Sequence, residues 1–335
     1  MIFPVKDSSH IGGTRRSLAE CVRRSGFDED SVGRVSIIVT EAATNLVKHA
    51  SGGVIIYQPL EVGGQKGAEI LAIDRGPGRS NIEQCLQDGY STAGTPGNGL
   101  GAIRRLSNVF DIYSQFGKGT VVLSRVWPKT YEAKSAESVT FGAISEPYPG
   151  ELVCGDQWRV LDDGDRTVVV LADGLGHGAV AYNAASAAVR IASEARHQSG
   201  NQIIEAIHAG IRHTRGCAVS IAELEWAKSN CHFTGVGNVT GMIVSHNQPK
   251  KSLVTMNGTA GHMARKIKAF SYPLLSGSTL LMHSDGIDTR WDLSAFPGLE
   301  RQHPSVIAAV LFRDHLRDKD DATIVVVRKA GVRQR

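Results

Sequence analysis

One stretch constrains the larger half of the chain more than any other: an apolar run that ends in an acidic residue and three glycines. Residues 168–172 are all aliphatic, and they lead directly into Asp173-Gly174-Leu175-Gly176-His177-Gly178. An alanine-rich stretch with helical periodicity follows over residues 179–194. The pattern predicts a buried strand, a tight turn and a helix, with Asp173 at the end of the strand. A carboxylate in that position is costly to desolvate unless it meets a cation or hydrogen-bond donors.

Three further acidic motifs occur in the same half of the chain, each at the end of a β-type run or just before one. They are Gly155-Asp156, Ser284-Asp285-Gly286 and Asp320-Asp321-Ala322-Thr323. Any single Asp-Gly pair is as readily explained by a turn, but a sheet could bring all of these carboxylates to one edge. Converging carboxylate oxygens without a His or Cys cluster favour Mg²⁺ or Mn²⁺ over zinc.

The ordered set of these motifs resembles the SpoIIE-like and RsbX-like branch of the metal-dependent protein phosphatases, over roughly residues 140–330. The resemblance implies a phosphoserine or phosphothreonine phosphatase that uses two Mn²⁺ or Mg²⁺ ions. The implied metal ligands are Asp156, Asp173, the Gly174 carbonyl, Asp285 and Asp320, while Asp321 stays open as an alternative. We predict that His177 and His283, which adjoin these motifs, bond a neighbouring carboxylate or backbone group and are not metal ligands.

The stretches between the motifs alternate in type. Residues 179–197 and 201–215 have helical spacing, whereas residues 232–244 and 251–256 are β-like. A pair of helices among β runs fits an αββα sandwich. The Gly235-Val236-Gly237-Asn238 segment is typical of a turn or of a loop that approaches the site closely, and ordinary hairpin chemistry explains it equally well.

Length and composition indicate an ordinary globular protein. A chain of 335 residues exceeds the usual size of one core and predicts two domains. The net charge of +4 comes without a basic block, which argues against nucleic-acid binding. No apolar run approaches the ~20 residues that a membrane span requires. The five cysteines are scattered, without Cys-x-x-Cys spacing, which favours a reducing cytoplasm.

The domain boundary is predicted where polar composition lies between two prolines, Pro128 and Pro147. We predict an N-terminal domain over residues 1–130, a linker over 131–146 and a C-terminal domain over 147–335. The fold class is α+β.

The N-terminal segment contains its own set of motifs. Residues 10–24 and 30–49 have helical periodicity, and Glu41 and Asn45 lie on one face of the second helix because they are four residues apart. Taken alone, such a pair is more typical of a solvated face than of a site. A strand-like run over residues 69–73 leads into Asp74-Arg75-Gly76-Pro77-Gly78.

Two glycine-rich segments complete the set. Gly97-Asn98-Gly99-Leu100-Gly101 precedes a predicted helix over residues 102–108, and Gly117-Lys118-Gly119-Thr120 precedes a predicted strand over 121–126. Glycine-rich backbone before a helix N-terminus suits phosphate, because free amides and the helix dipole both face the anion.

Together these motifs resemble the Bergerat-fold ATP site of the GHKL superfamily, an α/β sandwich. Residues 88–92 are further similar to the RsbT-like anti-sigma-factor and switch serine kinases. The resemblance implies ATP with Mg²⁺ as cofactor, Glu41 as general base, Asn45 as Mg²⁺ ligand and Asp74 as acceptor from the adenine amine. The other implied ATP-binding residues are Gly76, Gly78, Gly97, Gly99, Leu100, Gly101 and Thr120.

Two functions are compatible with these motifs. In the first, the chain is bifunctional: one domain phosphorylates a partner protein on Ser or Thr, and the other removes phosphate. In the second, the ATP-binding domain only docks a partner and senses nucleotide, while the phosphatase alone is catalytic. Glu41 favours the first, because a docking module has no chemical need for a base there. The resemblance implies bacterial STAS-domain anti-sigma antagonists, stressosome proteins or a sigma-factor regulator as partners.

Overall fold

The computed structural model describes residues 1–62, 64–79, 82, 99–128, 138–245, 248–317 and 319–331. The motif predicted at residues 88–92, with Gly97 and Asn98, lies outside the described residues. The chain divides into two compact units: Met1–Ser135 with Phe296–Gln302, and Ala136–Ala295 with His303–Arg335. No helix among the described residues is long and apolar enough to cross a membrane.

The first unit packs helices against one antiparallel sheet. The helices are α1 (Ser8–Arg24), α2 (Glu29–Ala50) and α3 (Gly99–Leu106), and the strands are β1 (Ile2–Val5), β2 (Gly53–Val62), β3 (Gln65–Ile73), β4 (Val109–Gln115) and β5 (Gly119–Val126). The strand order is β1-β2-β3-β5-β4. All three helices that were predicted here are present, the third three residues earlier than expected, whereas strands β1 and β4 were not predicted.

Local sequence explains where the long helices begin and end. Asp7 and Asp28 cap α1 and α2 by accepting hydrogen bonds from the backbone N–H groups of Ser9 and Ser31. Helix α2 ends at Ser51, which adopts a left-handed conformation with φ 58°. The apolar residues of α2 recur every three or four positions and are buried against the sheet, so the opposite face of the helix can carry polar groups.

The second unit is an αββα sandwich, as predicted. Its first sheet has the order β13-β10-β9-β8-β7 and its second the order β12-β11-β14-β15-β6. The first sheet contains β7 (Asp156–Asp162), β8 (Arg166–Gly174), β9 (Cys217–Glu225), β10 (Asn230–Val236) and β13 (Ala269–Pro273). The second contains β6 (Val139–Glu146), β11 (Thr240–Val244), β12 (Lys251–Leu253), β14 (Thr279–His283) and β15 (Ala322–Lys329). The helices are α4 (Gly178–Glu194), α5 (Gly200–Gly210) and α6 (Pro304–His315).

Strand β8 shows how the layers are built from its sequence. Val169 and Leu171 face the core between the two sheets, whereas Val168, Val170 and Ala172 pack against α4 and α5. Because successive side chains of a strand point to opposite faces, a strand covered on both sides is a continuous apolar run. This burial on both faces fixes the position at which Asp173 leaves the core.

The predicted linker is wrong over its C-terminal half, because residues 139–146 form strand β6. This strand pairs along its whole length with β15, from Val139 opposite Lys329 to Glu146 opposite Ala322. Val139 and Ala143 enter the core between the sheets, and a Cβ at Gly142 would overlap the backbone of Ser305 in α6. The alternation of apolar residues was present in the sequence, but overall polar composition obscured it. Residues 131–137 lie outside the described residues.

The β-like segment predicted over residues 232–244 proves to be two strands, β10 and β11, which belong to different sheets. The chain changes sheet near Gly237, which has φ 99° and a Cβ position that would lie 2.5 Å from the Ala218 Cβ. Only glycine fits both conditions. Strand β9 and helix α6 were not predicted from the sequence.

Candidate active sites

In the first unit, the N-terminus of α3 lies against the polar face of α2. A Cβ on Gly99 would lie 2.8 Å from Oε2 of Glu41 and 3.6 Å from Oδ1 of Asn45. The structure therefore brings these three predicted site residues together, and a side chain at position 99 would crowd the carboxylate. Nδ2 of Asn45 is buried and has no hydrogen-bond partner within the described part of the chain. A buried amide without a partner is the kind of group that a bound ligand satisfies.

The carboxylate of Asp74 is fixed by backbone donors. Its Oδ1 accepts hydrogen bonds from the N–H groups of Gly76 at 2.8 Å and Thr120 at 3.1 Å. The backbone N–H of Asp74 donates in turn to the Thr120 carbonyl at 2.9 Å. Asp74 and Thr120, which are far apart in sequence, thus form one rigid element at the ends of β3 and β5.

The glycines around Asp74 permit close packing of backbone. A Cβ on Gly76 would lie 2.7 Å from the Cα of Ala50, and one on Gly78 would overlap the Gln115 carbonyl. Both therefore have a structural reason to be glycine, in addition to the ATP-binding role implied by the resemblance. In α3, Gly101 is buried and Leu100 packs on the core, which leaves the helix N-terminus to present amides to an anion.

In the second unit, the four acidic motifs lie at neighbouring strand ends. Asp156 and Asp173 are directly opposite each other on β7 and β8. Asp285 follows β14, and Asp320 precedes β15, the strand paired with β14. The two facing sheets thus supply two carboxylates each.

Ser284 connects the two sheets at this edge. Its hydroxyl donates to Oδ2 of Asp156 at 2.6 Å and accepts the backbone N–H of Thr323 at 2.9 Å. The serine and both of its partners are buried. This explains why a serine precedes Asp285: it orients one carboxylate while it fixes the strand that carries another.

Burial and mutual repulsion dominate the electrostatics of this cluster. Burial, followed by the neighbouring carboxylates, raises the pKa of Asp173 to about 9. Burial also raises the pKa of Asp156 to about 7, and it raises the pKa of Asp285, with Asp320 as the next contributor. With its pKa near 9, Asp173 requires a positive partner in order to ionise at neutral pH.

The donor set fits hard divalent cations. Among the described residues, no group of three or more His, Cys, Asp or Glu side chains is already close enough together to hold a metal ion. However, Oδ1 of Asp156 is buried without a hydrogen-bond partner among the described residues. Buried oxygens without donors, surrounded by repelling carboxylates, are what Mg²⁺ or Mn²⁺ would satisfy.

Asp320 and Asp321 have different surroundings. Asp321 is 2% exposed, and its Oδ1 accepts the backbone N–H of Tyr148 at 2.8 Å. It therefore fixes the loop between β6 and β7. Asp320 is only half-buried and acts electrostatically on Asp285 and Asp173. This difference favours Asp320 as the ligand and Asp321 as a support.

The prediction that the two histidines bond neighbouring groups is confirmed. His177 lies 2.7 Å from the Glu151 carboxylate and stacks on Tyr148 with ring centroids 4.5 Å apart. Nδ1 of His283 donates to the Ser284 carbonyl at 2.9 Å, and burial lowers its pKa to about 4.

One residue beside the cluster was predicted only as part of a turn. Asn238 follows the crossing at Gly237, and its Nδ2 donates to Oδ2 of Asp285 at 2.7 Å. An Asn after two glycines was the available signal, but the sequence could not show which carboxylate it would reach. Gly174 begins the tight turn, where a Cβ would overlap the Ala181 carbonyl of α4.

Family profiles match both units. The histidine kinase-like ATPase domain matches residues 4–125, and Stage II sporulation protein E (SpoIIE) matches residues 163–330. Serine/threonine-protein kinase RsbT of Bacillus subtilis (strain 168) is 34% identical over 102 residues, which are 30% of this chain and 77% of RsbT. Phosphoserine phosphatase RsbX of the same organism is 24% identical over 139 residues, 42% of this chain and 70% of RsbX.

Solved structures support the fold of the second unit. A chain from work on the bacterial stressosome superposes with a TM-score of 0.53 at 23% identity, covering 57% of this chain and 100% of that one. RsbX in complex with magnesium superposes with a TM-score of 0.51 at 21% identity, covering 59% of this chain and 98% of that one. At these identities the similarity shows the fold alone. With the profile matches and the RsbT relative, however, it leads to one conclusion: the chain belongs to the SpoIIE family of PP2C-type phosphatases and carries, N-terminal to that domain, a histidine kinase-like ATPase domain of the RsbT type.

Proposed function

We propose that the chain is a bifunctional signalling regulator whose two domains add phosphate to, and remove it from, Ser or Thr of partner-switching proteins. The observation that carries the proposal is the meeting of four acidic motifs at one edge of the sandwich, in a chain that also places Glu41 beside the N-terminus of α3. One half thus has the chemistry of a metal-dependent phosphatase and the other that of a kinase.

For the phosphatase, we propose Asp156, Asp173, the Gly174 carbonyl, Asp285 and Asp320 as the residues that hold two Mn²⁺ or Mg²⁺ ions. Two such ions, when bound, supply an activated water and a clamp for the phosphate oxygens. The protein's own contribution is orientation. Ser284 holds Asp156, and Asn238 holds Asp285, so that the carboxylates do not need to reorganise when a substrate arrives.

For the kinase, we propose that Asp74 accepts from the adenine amine, since Gly76 and Thr120 already fix its orientation. The amides at the start of α3, with Gly97 before them, would bind phosphate oxygens. Asn45 would hold Mg²⁺, and Glu41, which lies next to Gly99, would accept the proton of the attacking hydroxyl.

The alternative function is a docking module that senses nucleotide. In that case Glu41 would be dispensable, and only the phosphatase domain would be catalytically active. The proximity of Glu41 to Gly99 favours the kinase, because a phosphate bound by the amides at the start of α3 would lie near this carboxylate.

The names of the relatives suggest the substrates. RsbT is a serine/threonine kinase and RsbX a phosphoserine phosphatase, and one structural neighbour comes from work on the stressosome. We therefore propose STAS-domain anti-sigma antagonists or stressosome proteins as partners, and the cytoplasm as the location.

The function is tested by incubating the full chain with a STAS-domain protein encoded near it, together with ATP and Mg²⁺ or Mn²⁺. Phosphosite mass spectrometry is expected to show a phosphorylated Ser or Thr on that partner. After ATP is removed, the same site is expected to lose its phosphate with Mn²⁺ present and to keep it with a chelator. A partner that is never phosphorylated but loses pre-installed phosphate would establish the docking alternative.

The domain boundary is also a proposal. Because β6 belongs to the phosphatase domain, we place the start of that domain at residue 138 and not at residue 147. The core of the ATPase domain uses residues from Val5 to Val126, and the cores of the phosphatase domain use residues from Val139 to Val327. Fragments 1–128 and 138–335 are therefore expected to fold separately, with cooperative thermal unfolding and their own activities.

Together the two fragments should cycle phosphate on a shared partner more slowly than the intact chain, because tethering raises the effective concentration of each domain at that partner. A fragment starting at residue 147 lacks β6 and serves as the control; we expect it to be insoluble.

A further inference from the structure

A cavity of about 620 Å³ opens beside the aspartate cluster. Leu175, Gly176 and Val180 line one wall, and residues 213–215 with His262 line the other. The first wall follows Asp173 and Gly174 directly in the chain. The second is fixed to it, because the Leu175 N–H donates to the Gly216 carbonyl at 3.0 Å. One wall of the cavity therefore begins directly after two of the proposed metal ligands in the chain.

The cavity contains an arginine that has no counter-charge among the residues that the structure describes. Arg215 is exposed and makes no ion pair within the part of the chain that the structure describes. Its guanidinium lies over Gly176, where a Cβ would be 3.2 Å from Nη1. His262 fixes the backbone below it, since Nε2 donates to the Arg215 carbonyl at 2.8 Å. A planar donor group is thus presented at the cavity, with no acceptor of its own among the described residues.

The wall formed by the start of α4 is apolar although it faces solvent. Leu175 is 53% exposed and Val180 is 48% exposed. Exposed aliphatic side chains that line a cavity, rather than standing singly, are typical of surfaces that a partner covers. The cavity therefore combines an apolar wall with an arginine that makes no ion pair to any described residue.

We propose that this cavity binds the phosphorylated segment of a protein substrate, with Arg215 contacting the phosphate and Val180 contacting an apolar side chain beside the phosphorylated residue. The proposal rests on the phosphatase function proposed above. Charge complementarity selects the occupant: a phosphate monoester carries a charge of about −1.5 to −2 at pH 7, and a guanidinium binds it through two parallel hydrogen bonds. The carboxylates nearby would repel such an anion, and a cation at the rim would offset that repulsion.

The test compares Arg215→Gln with Arg212→Gln, which removes an exposed arginine that does not line the cavity. With p-nitrophenyl phosphate and with phosphoserine peptides, Arg215→Gln is expected to raise KM roughly tenfold or more, because a charge-assisted hydrogen bond contributes about 1.5–3 kcal/mol. Arg212→Gln should leave KM unchanged. Arg215→Lys should recover part of the loss, since an ammonium cannot make the paired contact. An unchanged KM for Arg215→Gln would overturn the proposal.

Inorganic phosphate gives a readout that does not depend on turnover. Calorimetric titration with Mn²⁺ present is expected to show roughly tenfold weaker phosphate binding for Arg215→Gln than for wild type or Arg212→Gln. If wild type hydrolyses no phosphoester yet this difference is found, the proposed function fails and the phosphate site stands. Equal phosphate binding by all three proteins overturns the site itself.

The apolar wall is tested by specificity. Peptides with Leu or Asp next to phosphoserine are compared by their ratio of kcat/KM for wild type, Val180→Ser and Asn183→Ser. Asn183 is an exposed residue of the same helix that does not line the cavity. Val180→Ser is expected to lower the preference for Leu severalfold, in line with the ~1–3 kcal/mol that a small apolar contact contributes. An unaltered ratio would show that the flanking residue binds elsewhere.

Discussion

Replacing Asp173 with asparagine is expected to lower Mn²⁺-dependent phosphoserine hydrolysis by roughly 10³-fold or more, because metal ions supply several kcal/mol of transition-state stabilisation. The amide keeps the shape of the side chain but lacks the negative charge that holds cations close together. Hydrolysis is measured with a phosphopeptide, and nucleotide binding is measured on the same protein. The matched control is Asp165→Asn, which alters an exposed aspartate remote from the motifs and should retain full activity. Full activity of Asp173→Asn would refute the metal assignment.

The same variant has an expected signature in stability. The folded-state pKa values of Asp156 and Asp173 are raised to about 7 and about 9, above the ~4 of an unfolded chain. Protonation of these groups therefore stabilises the metal-free fold fully below about pH 4, and this stability is lost as pH rises through 7 and 9. Cations bind the ionised form, so saturating Mn²⁺ should raise Tm by roughly 5–10 °C, and more at pH 8 than at pH 6. Asp173→Asn should lose most of this increase, whereas Asp165→Asn should keep it.

Replacing Glu41 with glutamine or alanine is expected to reduce phosphotransfer to the partner by about 10²–10⁴-fold, the usual contribution of a general base, while ATP affinity stays near that of wild type. A base acts mainly in the chemical step. Glu61→Gln, an exposed change on β2, is the matched control. By contrast, Asn45→Ala and Asp74→Ala should weaken ATP binding itself, because a metal ligand and an adenine acceptor act in the ground state too.

Nucleotide titration and phosphotransfer measured on the same preparations separate these outcomes. Normal phosphotransfer by Glu41→Gln would assign the base elsewhere or establish the docking function. Weaker ATP binding by Glu41→Gln would indicate that the carboxylate contacts nucleotide or Mg²⁺ instead of the attacking hydroxyl.

Local sequence was sufficient to predict the elements that carry the proposed site residues. The run from residue 168 to Gly178 determines a strand, a turn and a helix, because a strand buried on both faces must be apolar throughout and glycines permit the tight turn. Glu41 and Asn45 lie on one face of α2 because residues four positions apart in a helix are neighbours on its surface. The order of the motifs was then sufficient to identify the family.

Composition was a poor guide where tertiary contacts decide the structure. Residues 139–146 are polar enough to suggest a linker, yet β15 supplies hydrogen bonds along the whole strand and α6 covers it at Gly142. Pairing with a strand that lies far along the chain leaves no local signal beyond a short alternation. The same holds for the single β segment predicted over residues 232–244, which two sheets divide between them.

By itself, therefore, the sequence determined which residues are candidates to bind metal, phosphate and adenine, because periodicity and turn chemistry act over a few residues. The tertiary structure alone decided which of them meet and what supports them. Ser284 reaches Asp156 across 128 residues, Asp321 holds Tyr148 across 173, and Asn238 holds Asp285 across 47. Contacts between residues so distant in sequence arise when the two sheets pack face to face, and no local pattern encodes which side chains that packing brings together.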